Sequence, residues 1–300
     1  MANYSIKDLE HLSGIKAHTL RIWEQRYGLI NPKRTDTNIR YYDQDDLKLV
    51  LNVSLLKDNG FKISRIAEMS QPELHEAVLK VSDKTTSFAD QIYGLTLAMI
   101  DLDEQRFEKI ISSNTLKIGF ERTMLNIIYP FLSKVGVMWT TDSINPAQEH
   151  FISNLIRQKV IVAIDGQYET FDEKAKKYML FLPEGELHEL GLLFANYLIR
   201  AKGNKVIYLG QNMPFNDLSN VYNTYQPDYL LTILTSRDKA RDCKEYLNNL
   251  SADFPDTEIL VSGSQVIGQD LDLPDNVIQI ANPNHLLQFI EEHQSVSISR

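Results

Sequence analysis

Apolar residues recur at helical spacing through the first half of the chain and gather into short β-branched runs in the second. Near the start, Ile6, Leu9 and Leu12 share one helical face behind Ser5, a good N-cap, and Gly14 stops the run. Leu20, Trp23 and Tyr27 mark a second short helix over 17–27, closed by Gly28. Two short helices across a tight glycine-containing turn form the helix-turn-helix pattern. Asn31-Pro32 then breaks the helix, and residues 33–42 fit a small hairpin. Helices are expected over 45–58, 63–69 and 72–81, and the polar stretch from Ser82 to Ser87 reads as a linker.

From 88 to about 165 the period stays helical, with segments at 88–100, 103–114, 120–139 and 146–164 that suit a four-helix bundle. Pro130 lies inside the third of them and predicts a kink or break. After Tyr168 the period changes. Short apolar runs at 177–183, 206–210, 229–235, 259–263 and 277–281 alternate with helical stretches at 188–201, 216–225, 239–250 and 285–293. Such alternation implies a parallel sheet covered by helices, with ligands at the carboxyl ends of the strands. The fold class is therefore multidomain α and α/β. Its expected domains are a reader at 1–75, a helix end and linker at 76–87, a bundle at 88–168 and an αβ domain at 169–300.

Composition narrows the function. With 43% hydrophobic and 24% charged residues, the chain can bury substantial cores. Its apolar runs fall short of the roughly 18 residues of a membrane helix. The first residues lack a basic, then apolar, secretory pattern, and the expectation is a soluble cytoplasmic protein. One cysteine, Cys243, excludes an internal disulfide and a multi-cysteine metal cluster. Charge is unevenly spread. Residues 1–70 hold 11 Lys and Arg against 9 Asp and Glu, whereas the whole chain holds 31 against 40. A basic segment on an acidic chain reads either as a local anion-binding face or as a plain solvated one.

The stretch Thr19-Leu-Arg-Ile-Trp-Glu-Gln-Arg-Tyr-Gly28 through Lys33-Arg34, followed by Asn38-Ile-Arg40-Tyr41-Tyr42, resembles the winged helix-turn-helix of MerR-type transcription regulators over residues 4–70. The resemblance implies that His18, Thr19, Arg21 and Arg26 meet DNA from the recognition helix, and Lys33, Arg34, Arg40 and Tyr41 from the wing. Trp23 and Tyr41 also fit as core aromatics. Where the family's wing turn often has Gly, this chain has Asn38, which tolerates positive φ.

In the second half, Glu186-x-His188-x-x-Gly191 resembles the cobalamin-binding signature, whose acidic residue is usually Asp. Thr232-x-Leu234 stands where that family has Ser-x-Leu, and Ser262-Gly263 where it has Gly-Gly. The resemblance implies a flavodoxin-like domain in which His188 is the lower ligand of cobalt. Small residues at Gly191 and Gly263 would admit the displaced base tail, and Thr232 would hydrogen-bond it. A zinc site is disfavoured, since one cysteine and no second histidine nearby leave too few ligands. In the bundle, Trp139 followed by nine residues and Glu149-His150 resembles the cap of the B12-dependent photoreceptor regulators of the CarH and LitR type.

That resemblance implies a transcription regulator, most often a repressor. It would bind operator double-stranded DNA as an oligomer, dimer or tetramer, while loaded with adenosylcobalamin, and light would release it. Thr140 departs from the family, which often has a histidine directly after the Trp to capture cobalt after photolysis. Water or a weak ligand is expected there instead. The alternatives are a corrinoid carrier of the methyltransferase type, or a MerR-type regulator that has lost its cofactor. The DNA-reading head speaks against an enzyme, as does the lack of a nucleotide-binding Gly-rich loop in the sequence.

Overall fold

The computed structural model describes residues 4–35, 38–58, 60–84, 88–140, 144–167, 175–236, 242–269 and 271–295. The chain forms two compact units, Met1–Leu155 and Ile156–Arg300. No helix among the described residues is long and apolar enough to cross a membrane.

In the first unit, α1 (Ile6–Ser13) starts at Ser5 through a reciprocal capping box. The Ser5 N–H donates to Asp8 at 2.6 Å and the Asp8 N–H to Ser5 Oγ at 3.3 Å. Gly14 ends the helix at φ +74°. The next helix, α2 (Ala17–Tyr27), follows Lys16, whose side chain caps nothing. Glu10 of α1 reaches across instead and accepts the Ala17 N–H at 3.0 Å, which sets the angle of the turn. The wing is an antiparallel hairpin of β1 (Lys33–Arg34) and β2 (Arg40–Tyr41), and Asn38 in its turn has φ +63°. Behind it lie α3 (Gln44–Asp58), α4 (Ile63–Ala67) and α5 (Gln71–Lys84). Helix α5 continues to Lys84, into the stretch expected as linker, and residues 85–87 lie outside the described ones.

The bundle follows as α6 (Phe88–Asp101), α7 (Glu104–Ile118), α8 (Phe120–Thr123), a π-helical turn (Met124–Ile128), α9 (Tyr129–Thr140) and α10 (Pro146–Asp165). The break expected at Pro130 takes the form of that π turn. Proline has no N–H to donate and its ring crowds the carbonyl four residues back, so the helix widens by one residue just before it. Gln148 on α10 donates to the Ile100 carbonyl at 3.1 Å, tying the start of α10 to the end of α6. The reader is joined to the bundle by the Tyr93 hydroxyl on the Ser13 carbonyl at 2.9 Å and by a Lys48–Asp101 ion pair at 2.5 Å.

The second unit contains β3 (Lys177–Pro183), α11 (Leu190–Ala201), β4 (Lys205–Met213), α12 (Phe215–Tyr225), β5 (Tyr229–Ile233), α13 (Cys243–Asp253), β6 (Glu258–Ser262), β7 (Val277–Gln279) and α14 (Pro283–Ser295). The strand order is β4-β3-β5-β6-β7, every pair parallel. This is the flavodoxin-like order, and the winding reverses between β3 and β5. The helix over 239–250 begins at Cys243; residues 237–241 lie outside the described ones. The first helix begins at Leu190 rather than at His188, because side-chain bonds of Glu186 and His188 occupy the preceding turn.

Gly263, just past β6, has φ +104°, and a Cβ there would lie 2.3 Å from the Leu234 carbonyl oxygen. The close approach is made by the chain itself, since the Leu234 N–H also donates to the Ser262 carbonyl at 2.8 Å. Gly263→Ala should therefore cost about 3 kcal/mol or more of stability. Denaturant unfolding of the variant should show a correspondingly lower midpoint, and an unchanged midpoint would contradict this account of the turn.

Candidate cofactor site and nucleic-acid interface

The loops after β3 and β5 diverge at the carboxyl edge of the sheet, the place where open αβ sheets bind ligands. Both loops converge on one carboxylate. Glu186 is fully buried. Its Oε2 accepts the N–H groups of Thr235 at 2.8 Å and Ser236 at 2.6 Å, from the loop after β5. Its Oε1 takes the Ser236 hydroxyl at 2.9 Å, the His188 N–H at 3.1 Å and the His188 Nδ1 at 2.7 Å. Burial alone would raise the Glu186 pKa. The bonds from His188, Ser236 and Thr235 outweigh it and hold the carboxyl far below the usual carboxylate range. The His188 side chain stays 65% exposed while its Nδ1 is held from behind, so its orientation is set by Glu186 and Ser236.

The remaining residues expected around this point divide. Thr232 is fully buried on β5 and its hydroxyl has no hydrogen-bond partner among the described residues. A Cβ at Gly191 would meet the Ile233 side-chain tip at 3.0 Å, a neighbour able to move. Leu234, Ser262 and Gly263 are different: they bond and pack on one another where the loops after β5 and β6 touch. The small size of Gly263 is thus required by the chain itself, because the Leu234 backbone fills the space where a Cβ would lie.

Ser236 and Glu189 went unnoticed in the sequence. Ser236 had a signal, standing just past Thr232-x-Leu234 on the far side of the winding reversal. Glu189 is nearly buried and pairs with Arg157 of α10, while the Tyr208 hydroxyl donates to it at 3.3 Å. Burial, and then the neighbouring Glu189 charge, push the Tyr208 pKa up. In the bundle, Trp139 lies in the last turn of α9 and is 45% exposed. Glu149 and His150 occupy the first turns of α10, with His150 Nδ1 2.6 Å from Glu149 and the Ser153 hydroxyl donating to Glu149 at 2.5 Å. Thr140 ends α9. Among the described residues no cluster of three or more His, Cys, Asp or Glu is placed to hold a bare metal ion.

At the other end of the chain, α2 buries Leu20 and Trp23 and exposes His18, Arg21, Ile22, Gln25 and Arg26; Thr19 is half-buried. The wing cations are held internally: Arg34 donates to the Asn38 side chain at 2.7 Å, Lys33 pairs with Asp43, and Arg40 lies 3.6 Å from Glu24. Tyr41 is half-buried, and the core position expected for it belongs to Tyr42, which bridges to Tyr4. In an extended strand neighbouring residues face opposite ways, so one place decides the role.

Two stretches of the chain match family models, a MerR-type helix-turn-helix and a B12 binding domain. The MerR HTH family of regulatory proteins matches residues 4–72 and the B12 binding domain family matches residues 92–163. The chain is homologous to the HTH-type transcriptional repressors CarH and CarA of Myxococcus xanthus. It is 27% identical to CarH over 84% of this chain and 85% of that one, and 24% identical to CarA over 82% and 80%. The monomethylamine corrinoid protein of Methanosarcina barkeri shares the fold, with a TM-score of 0.56 and 13% identity over 69% of this chain and all of that one.

The depressed Glu186 pKa fixes a direction for acid sensitivity. Its stabilising contribution is complete above the ordinary carboxylate value of 4.5 and drains away as pH falls below it. Urea midpoints of the wild type should therefore drop more steeply below that pH than those of Glu186→Gln. Parallel curves would place the acid-sensitive group elsewhere.

Proposed function

We propose that the protein is a cytoplasmic transcriptional repressor whose grip on operator DNA is governed by adenosylcobalamin. The observation that carries this reading is the Glu186–His188 pair at the winding reversal, beside the partnerless buried hydroxyl of Thr232, on a chain whose α2 exposes a basic face. A base-tailed corrinoid needs an imidazole held in one orientation and a hydrogen-bond donor in an otherwise apolar slot. His188 and Thr232 fit both needs. With Nδ1 engaged by Glu186, Nε2 is the nitrogen that would be presented to cobalt. Gly191 would let the tail pass once the Ile233 tip moves, and Trp139, Glu149 and His150 would serve the upper side.

When bound, adenosylcobalamin supplies a cobalt–carbon bond that light can cleave. The chain's own part is to hold the corrinoid and to couple its presence to assembly. A small reader makes few base contacts, and linking several in an oligomer raises affinity through effective concentration. Coupling requires that the loaded form favour the DNA-competent assembly.

Absorption spectra of protein mixed with adenosylcobalamin, taken before and after green light, test the cofactor reading directly. His188→Ala should lose binding while remaining folded, and Glu186→Gln should weaken it roughly 10- to 100-fold. Equal retention of cobalamin by His188→Ala and wild type on gel filtration would refute the ligand assignment. On DNA, Arg21→Ala should weaken binding and reduce the salt slope by about 1. In the light, cobalamin should wash out of the wild type, whereas Thr140→His should retain it; tight retention by the wild type would show that another residue has taken the upper position.

A further inference from the structure

The exposed face of α2 contains one residue out of character with its neighbours. His18, Arg21, Gln25 and Arg26 are polar or cationic, as a DNA-reading face requires, but Ile22 in their midst is apolar and 48% exposed. It takes no part in the core, where Leu20 and Trp23 of the same helix are 1% and 4% exposed. From His18 to Arg26 the face runs for about 12 Å at 1.5 Å per residue, close to the width of the major groove. A helix seated there buries Ile22 against base edges. Most of those edges are lone pairs or N–H groups, and covering them with a side chain that cannot hydrogen-bond removes water without replacement. The apolar group that a base pair offers in the major groove is the thymine methyl.

We propose that Ile22 is a specificity-determining residue that selects thymine through its 5-methyl group. This rests on the DNA-reading role proposed above and adds to it the base class that this position demands. Arg21 and Gln25 flank Ile22 on the same face, so a polar contact to a neighbouring base sets the register in which Ile22 meets its thymine.

Thymine and deoxyuridine differ by that methyl alone, which gives a clean test. Binding sequences are first selected from random duplexes with the full-length protein, and each thymine of the selected site is then replaced in turn by deoxyuridine. At one position the wild type should lose about fourfold in affinity, the worth of one buried methyl. Ile22→Ala should bind the two duplexes equally, and Ile22→Val should keep the preference. The proposal is overturned if Ile22→Ala keeps the full discrimination or if no thymine is methyl-sensitive in the wild type. It is also overturned if Ile22→Ala instead changes the oligomeric state on gel filtration, which would assign Ile22 to a contact between copies. Failure to enrich any sequence would overturn the DNA-reading role itself.

Discussion

A buried carboxylate cannot stay ionised unless fixed donors replace the water it has lost, and Glu186 obtains its donors from two separate loops. The loop after β3 brings the carboxylate and His188; the loop after β5 brings Thr235 and Ser236. Neither loop alone satisfies the charge. The geometry at the mouth of the sheet is thus all-or-none, since a shift of either loop leaves an ion stranded in a dry place. The direction of the His188 ring follows from that constraint and is set by the chain's own atoms. Such ordering is what a metal ligand gains from a second shell.

Much of this was readable from residue order, and the parts that were not share a cause. Ser5, Gly14, Gly28 and Asp103 act within a turn of themselves, and the helix ends they predict or cap fall within a residue or two of expectation. The five strands likewise follow from local β-branched runs. What escaped depends on neighbours distant in the chain. Glu186 and Ser236 are fifty residues apart, and the place of Ser236 just past Thr232-x-Leu234 puts it at the sheet edge without saying which group it meets there. Gly263 shows the same limit in reverse. Its smallness was plain, but whether backbone or ligand fills the space beside it is a property of the folded chain. Tyr41 and Tyr42 differ by one place in a strand, and local pattern does not separate the two faces when both residues are tyrosine.

The chain also spends one helix on two tasks. Glu149 and His150 sit in the first turns of α10, and Arg157, two turns further on, pairs with Glu189, the residue that follows His188. The π turn before Pro130 sits on the preceding helical run, which ends in Trp139 and Thr140. Turns of that kind have weaker hydrogen bonding than regular helix, and they are frequent at functional sites.

The internally held wing cations bear on how the protein trades ions with its surroundings. Lys33 rests on Asp43 and Arg40 near Glu24. If either cation moves to a phosphate, the duplex sheds condensed counterions, but the carboxylate left behind attracts a cation from solution. Release and uptake partly cancel. A wing of this kind touches more phosphates than the steepness of its ionic-strength dependence would report, and its hold on DNA fades more slowly as salt rises than that of an unpaired basic arm with the same number of charges.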